Sequence, residues 1–292
     1  MSGLTIVRGK QTVAQRILGV FSKSIVNVLL AIVAVFWLVP TVGLLIASLR
    51  DSTDNSQSGW WTVFTAPAQL TLENYQNLLT NPTILGSLWN TVLIVVPATL
   101  LVIVIGALAA YAFAWVEFPG RDWLLIVVIV LLAVPVQVAL IPLAQLFGAI
   151  GIFGSILGVI LYHVAFGLPF AIFLLRNFFT QIPAELLEAA RIDGASEWRI
   201  FLRVVFPLGL PAIASLGIFQ FLWTWNDLLI ALIFSDSQSQ PITVAIQSQL
   251  RQFGANIDVL SSGAFISMVV PLIVFFAFQR YFVQALLAGS QK

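Results

Sequence analysis

The chain contains apolar runs too long for the core of a water-soluble domain. No Asp, Glu, Lys or Arg occurs from Ser24 to Leu49, and none occurs from Trp123 to Leu175. A helix rises about 1.5 Å per residue, so about 20 apolar residues cross a hydrocarbon layer about 30 Å thick. Within that layer every backbone N–H and C=O must be satisfied by the protein itself, which makes runs of this length membrane-spanning helices. The composition agrees, with 60% of residues hydrophobic and 9% charged, against about 25% charged in soluble domains.

Division of the runs gives an all-α integral membrane protein of six spans in a single domain covering residues 1–292. Ile25 to Leu49 is the first span and Leu88 to Trp115 the second. The stretch Trp123 to Leu175 is too long for one crossing and reads as spans three and four, joined by a short return turn at Gly148, Gly151 and Gly154. Pro207 to Phe234 and Gly263 to Val283 complete the set. Gly154 and Gly158 form a small-xxx-small pair suited to close helix packing. Basic residues set the orientation, because cytoplasmic loops are enriched in Lys and Arg. With both termini cytoplasmic, the inner side holds Arg8, Lys10, Arg16, Lys23, Arg121, Arg176, Arg191, Arg199, Arg203, Arg280 and Lys292, and the outer side only Arg50 and Arg251. The amino-terminal helix is expected to remain rather than to be cleaved as a signal peptide. On the outer side, Trp60, Trp61 and Phe64 are expected at the headgroup level.

The cytoplasmic loop at about 177–206 is a charged, amphipathic stretch between apolar runs and reads as a helix-turn-helix. Pro183 suits a first helical turn, Ala184 to Ile192 are mostly good helix formers, and Gly194 ends the helix. Ser196 is expected to cap a second helix with an apolar stripe of Trp198, Phe201, Leu202 and Val205, and Pro207 to mark the start of span five. Ala189 and Ala190 keep one face thin, while Glu185, Glu188 and Asp193 oppose Arg191, Arg199 and Arg203. Such a surface can orient a docked partner.

Glu188 to Pro207 resembles the EAA loop of the membrane subunits of ABC importers: Glu188-Ala189-Ala190, three residues, Gly194, and nine residues on an apolar position before Pro207. Val204 stands where the pattern has Ile, and Phe206 where it has Leu. Further segments are similar to the maltose-type sugar permeases. They are Asn90-Thr91, Ala109-Ala110-Tyr111-Ala112, Arg176-Asn177-Phe178-Phe179, Trp225-Asn226-Asp227 and Gln279-Arg280-Tyr281-Phe282-Val283, and Ala288-Gly289-Ser290 leans towards the α-glucoside branch. The resemblance implies a permease subunit of the bacterial inner membrane that imports a sugar, such as a di- or oligosaccharide or an α-glucoside, by ATP-driven alternating access. It implies as partners a second homologous permease, an ATP-binding cassette ATPase dimer, an extracytoplasmic sugar-binding protein and membrane lipid, with no nucleic acid. It places ATPase coupling on Glu185, Glu188, Ala189, Ala190, Asp193, Gly194, Trp198, Arg199 and Pro207. This chain is expected to bind no cofactor, with ATP and Mg held by the ATPase. Its only Gly-Lys pair, Gly9-Lys10, is followed by Gln11 and lacks the upstream Gly of a phosphate-binding loop.

A sugar path needs hydrogen-bonding groups and aromatic faces inside the bundle. Candidates are Gln137, Gln145, His163, Gln220, Trp223, Trp225, Asn226 and Asp227. Each also has a packing role open to it: His163 as a contact between helices, Asp227 as an interfacial or inter-subunit contact, and the two Trp as an aromatic belt. A polyol, glycerol phosphate or polyamine remains the alternative cargo. An ion-coupled secondary transporter would have only Asp227 and His163 to work with. With no Cys and one His, the chain lacks the nucleophile, base or metal pair of an intramembrane enzyme.

Overall fold

The computed structural model describes residues 13–253 and 257–290, with side chains over 25–249 and 257–279. Arg8, Lys10 and Lys292 lie outside the described residues, as do the side chains of Arg16, Lys23, Arg251 and Arg280. The first long helix, α1 (Val13–Ser48), leads to an outer region with α2 (Ser52–Gln57) and α3 (Glu73–Thr80). Next come α4 (Pro82–Trp115), α5 (Arg121–Leu132), α6 (Leu140–Ala149) and α7 (Ile156–Phe179). The helices α8 (Ala184–Ile192) and α9 (Glu197–Ile200) form the cytoplasmic loop, followed by α10 (Phe206–Trp225), α11 (Leu229–Phe234), α12 (Ile242–Phe253) and α13 (Ile257–Ser290). Among the described residues five helices are long and apolar enough to cross a membrane, or six if the bent pair α5 and α6 is one span.

That pair makes the third span a bent one. Its two arms meet at 97°. The last turn of α5 tightens, with Ala133 N–H donating to Val130 O and Val134 N–H to Leu131 O, and Pro135 then has no N–H to continue the ladder. The Tyr162 hydroxyl donates to Val136 O at 2.6 Å and so pins the bend against α7. The return turn forms at Gly151 and Gly154, with φ of 76° and 77°. Gly154 therefore lies outside α7 and makes no helix-packing pair with Gly158, which instead lies against the backbone oxygen of Ile152.

The core joins α4 to α7 and α10. Ala98, Val102 and Ala110 pack against Tyr162, Ala171, Leu175 and Leu216. Small residues permit the approach: a Cβ at Gly106 would stand 2.8 Å from that of Ala171. Span two starts earlier than expected, at Pro82 with Asn81 as its cap, so Asn90 and Thr91 lie two turns inside it. They tie down the outer loop. Asn90 Nδ2 donates to Gln238 O at 2.7 Å, and Thr91 Oγ1 accepts from Ile242 N–H at 2.9 Å.

Span five departs from expectation at both ends. No boundary occurs at Pro207; one membrane-length helix runs from Glu197 to Trp225. Its residues Phe201–Val205 form a π turn, in which Phe206 N–H donates to Phe201 O, just before Pro207, which has no N–H to offer. At the outer end the helix breaks over Asn226–Leu228 before α11. The outer region folds around fully buried Arg50, which donates to Gln69 Oε1 at 3.1 Å, Asp54 O at 2.8 Å and Ser58 Oγ at 2.6 Å. Trp60 packs on Gly43 of α1, while Trp61 and Phe64 are exposed, as headgroup-level aromatics would be.

Candidate coupling surface and solute path

The cytoplasmic helix pair is built around one turn. Helix α8 ends with Gly194 at φ 76°, where its N–H donates to Arg191 O and Ala195 N–H donates to Ala190 O, both at 3.0 Å. This 5→2 and 6→1 pairing satisfies the last carbonyls of the helix and needs a left-handed residue, which glycine supplies without a Cβ penalty. Ser196 has the backbone of a cap, but its side chain makes no capping bond. Pro183 stands at the cap position of α8 rather than inside its first turn.

Burial divides the loop into two faces. Leu187, Ile200, Phe201 and Val205 are buried against the bundle. Of the expected stripe, Phe201 and Val205 are therefore inside, whereas Trp198 is 60% exposed and Leu202 is also exposed. The π turn changes the helical phase, which is why a 3.6-residue stripe does not hold through it. Glu185, Glu188, Ala189, Asp193, Gly194, Arg199 and Pro207 are all exposed, and Ala190 is half-buried. With Ile192 at 87% exposure, they form a mixed apolar and charged surface at one end of the bundle.

Three residues the sequence reading did not combine hold this loop to the spans. Arg191 Nε donates to Glu197 Oε1 at 2.9 Å, and its Nη2 donates to Trp115 O at 3.2 Å. The Tyr111 hydroxyl donates to the other carboxylate oxygen of Glu197. The bond to Glu197 holds the Arg191 guanidinium above its ordinary pKa. Arg191 is thus engaged within the chain rather than left among the outward charges. The available signal was Tyr111 itself, a phenol closing an apolar span that needed a polar partner.

The path candidates separate. Gln220 and Trp223 line a cavity of about 350 Å³ with Val136, Phe166, Phe170 and Phe219. Gln220 is buried; its Nε2 donates to Thr224 Oγ1 at 3.1 Å, and its Oε1 reaches over Gly167. Asn226 faces a second cavity of about 470 Å³ with Thr243, Gln247 and Ser267. Gln137 and Gln145 are exposed and line neither. Trp225 is buried, with Nε1 donating to Ser267 O at 2.9 Å, so it anchors α13 and does not pair with Trp223 in a belt. Asp227 lies in the helix break and accepts from Ile230 N–H at 3.2 Å and Ala231 N–H at 2.9 Å, capping α11. Buried His163 comes within 3.5 Å of Asp227 Oδ2 and meets Trp223 edge to face. Among the described residues no group of His, Asp and Glu is arranged to hold a metal.

Residues 102–287 match the family of binding-protein-dependent transport system inner membrane components. The chain is 45% identical to the osmoprotective compounds uptake permease protein GgtD of Synechocystis sp., covering 93% of each. It is 48% identical to the α-glucoside transport system permease protein AglG of Rhizobium meliloti, over 78% of this chain and 62% of that one. In fold it is similar to a subunit of a bacterial ABC transporter that imports alginate, with a TM-score of 0.78, 22% identity, and coverage of 94% of this chain and 99% of that one. The family match at residues 102–287 includes α8 and α9, the bent third span and the broken fifth. The chain belongs to the binding-protein-dependent transport system inner membrane components: it is a multi-pass, non-catalytic permease subunit of an ABC importer of the inner membrane.

Proposed function

We propose that the chain imports a neutral polyhydroxylated solute, an α-glucoside or a related di- or oligosaccharide. The observation that carries the reading is the cavity beside α10. It offers the aromatic faces of Phe166, Phe170 and Trp223 and the amide of Gln220, with no charged side chain in its lining. Aromatic faces and a fixed amide suit the apolar face and hydroxyls of a sugar ring. An anionic cargo would call for Lys or Arg there. The similarity to an α-glucoside permease supports the same class.

In this reading the chain forms half of the path beside a second, homologous permease. Two ATP-binding cassette subunits dock below, one on the exposed face around Glu185, Glu188, Ala189, Asp193, Trp198 and Arg199. ATP and Mg reside on those subunits, whose closure turns the bundle outward. An extracytoplasmic binding protein delivers the solute to the outer loops, and hydrolysis resets the cycle. A shift of the bundle from 1:99 to 99:1 takes about 5.5 kcal/mol.

A second reading, an osmoprotective compound as cargo, rests on the relative of that name. Purifying the tagged chain in mild detergent and identifying its companions by mass spectrometry tests the assembly; recovery of the chain alone, under conditions that preserve known complexes, would refute it. Uptake by the reconstituted complex of a labelled neutral α-glucoside, challenged with unlabelled polyols, uronides and quaternary ammonium osmoprotectants, tests the cargo. Competition by α-glucosides alone supports the first reading. Competition by quaternary ammonium compounds supports the second.

A further inference from the structure

We infer that Tyr111, Glu197 and Arg191 form a second route by which the cytoplasmic loop moves the membrane helices, joining it to α4 independently of the chain connection into α10. Along the chain, the loop is joined to α7 through residues 180–183 and to α10 through the π turn at Phe201–Val205. A π turn is an irregularity in the ladder and yields more readily than regular α-helix. A displacement of α8 and α9 passed only along it would be partly absorbed there.

The second route bypasses that turn. Glu197, the first residue of α9, takes the Tyr111 hydroxyl on one carboxylate oxygen and Arg191 Nε on the other, so one side chain joins α9 to both α4 and α8. Arg191 also donates to Trp115 O at the end of α4, and Trp115 Nε1 donates to Phe179 O at the end of α7 at 3.1 Å. The Tyr111 ring packs on Phe201 at 5.3 Å, at the start of the π turn. The loop, the inner end of α4 and the inner end of α7 are thereby one hydrogen-bonded body, whereas α10 joins it through the π turn. The pair Arg191–Glu197 is 39% and 45% exposed, and pairs so exposed contribute little to stability. Its consequence lies in geometry: it fixes the bearing of α8 on α4. This inference rests on the reading that an ATPase docks on the loop, and it adds which helix receives the motion.

The test uses the complete importer in proteoliposomes, reading solute moved per ATP hydrolysed and basal hydrolysis without binding protein. Tyr111→Phe keeps the ring on Phe201 and removes only the hydroxyl. It is expected to lower the ratio at least fivefold, the lower end of ordinary coupling free energies, with basal hydrolysis and subunit stoichiometry unchanged. A merely structural role would lower assembly and basal hydrolysis together. The chain has no Cys, so Tyr111→Cys with Glu197→Cys, among partners free of reactive cysteine, gives a unique pair for a short bifunctional maleimide. Cross-linking is expected to restore the ratio that the double substitution lowers. Wild-type coupling in Tyr111→Phe, or arrest of transport by the cross-link, would overturn the inference. The cross-link arm decides even if Tyr111→Phe assembles poorly. If hydrolysis by the unaltered complex ignores the binding protein, the importer reading fails first and this inference with it.

Discussion

Gly194 allows backbone strain to be separated from space. A Cβ there would meet nothing within 4 Å, yet φ is +76°. An L-residue other than Gly or Asn pays about 1–2 kcal/mol in the left-handed region, and a β-branched one is a true outlier. No neighbouring atom has to give way, so this strain is the whole cost. It is relieved if φ relaxes to negative values, which breaks the bonds from Gly194 N–H to Arg191 O and from Ala195 N–H to Ala190 O and swings α8 against α9. A penalty of about 1–2 kcal/mol shifts that local equilibrium about 5- to 30-fold. The expected order of solute moved per ATP is therefore Gly194→Asn near the unaltered protein, Gly194→Ala lower and Gly194→Val lowest, with membrane insertion equal in all. The assay is uptake and hydrolysis measured on the same proteoliposomes. Asn is larger than Ala, so losses that follow side-chain size would refute the strain argument. Full coupling in Gly194→Val would remove the turn from the mechanism.

Further substitutions test the packing and the outer loop. Gly106→Ala sets two methyl groups 2.8 Å apart at Ala171; overpacking costs about 1–3 kcal/mol, so the melting temperature in detergent is expected to fall, and Ala171→Gly in the same chain to recover most of it. Thr91→Val removes the acceptor for the buried Ile242 N–H; an unsatisfied buried donor costs about 1–3 kcal/mol, expected as faster proteolysis within the loop after Phe234. Arg50→Met leaves several acceptors around a fully buried position without their donor; release of residues 51–80 to protease is expected, and an unchanged digestion pattern would show that the outer region does not depend on the guanidinium. Trp223→Ala opens the aromatic wall of the cavity beside α10, and a several-fold rise in the half-saturating concentration of an α-glucoside is the expected result in uptake assays.

Much of this protein was legible one residue at a time. The lengths of the uncharged runs required membrane helices because the hydrocarbon layer forces the backbone to bond to itself. The end of α8 was readable at Gly194 because a left-handed turn is a local demand with a local solution. The bend in the third span was only half legible. Pro135 and Pro142 were visible inside it, but prolines also occur in unbroken helices such as α4 at Pro97, and the contact that holds the bend is Tyr162 on α7.

The candidate site followed the same division. Sequence spacing found the exposed charged face of the loop, since Gly194 and the charges around it are contiguous in the chain. It could not find the partner of Tyr111, because Glu197 lies 86 residues away and only helix packing brings them together. Nor could it show that Trp225 is an internal anchor while Trp223, two residues earlier, lines a cavity. Helical periodicity puts them on opposite sides of α10, and only the positions of α7 and α13 decide which side faces protein. The sequence by itself determined the class of fold, the membrane-spanning character of the apolar runs and the turn at Gly194, because those are set by hydropathy and local backbone geometry. Tertiary structure alone decided the break at Asn226–Leu228, the relay beneath the loop and the sorting of polar residues between cavities, because each depends on contacts between segments far apart in the chain.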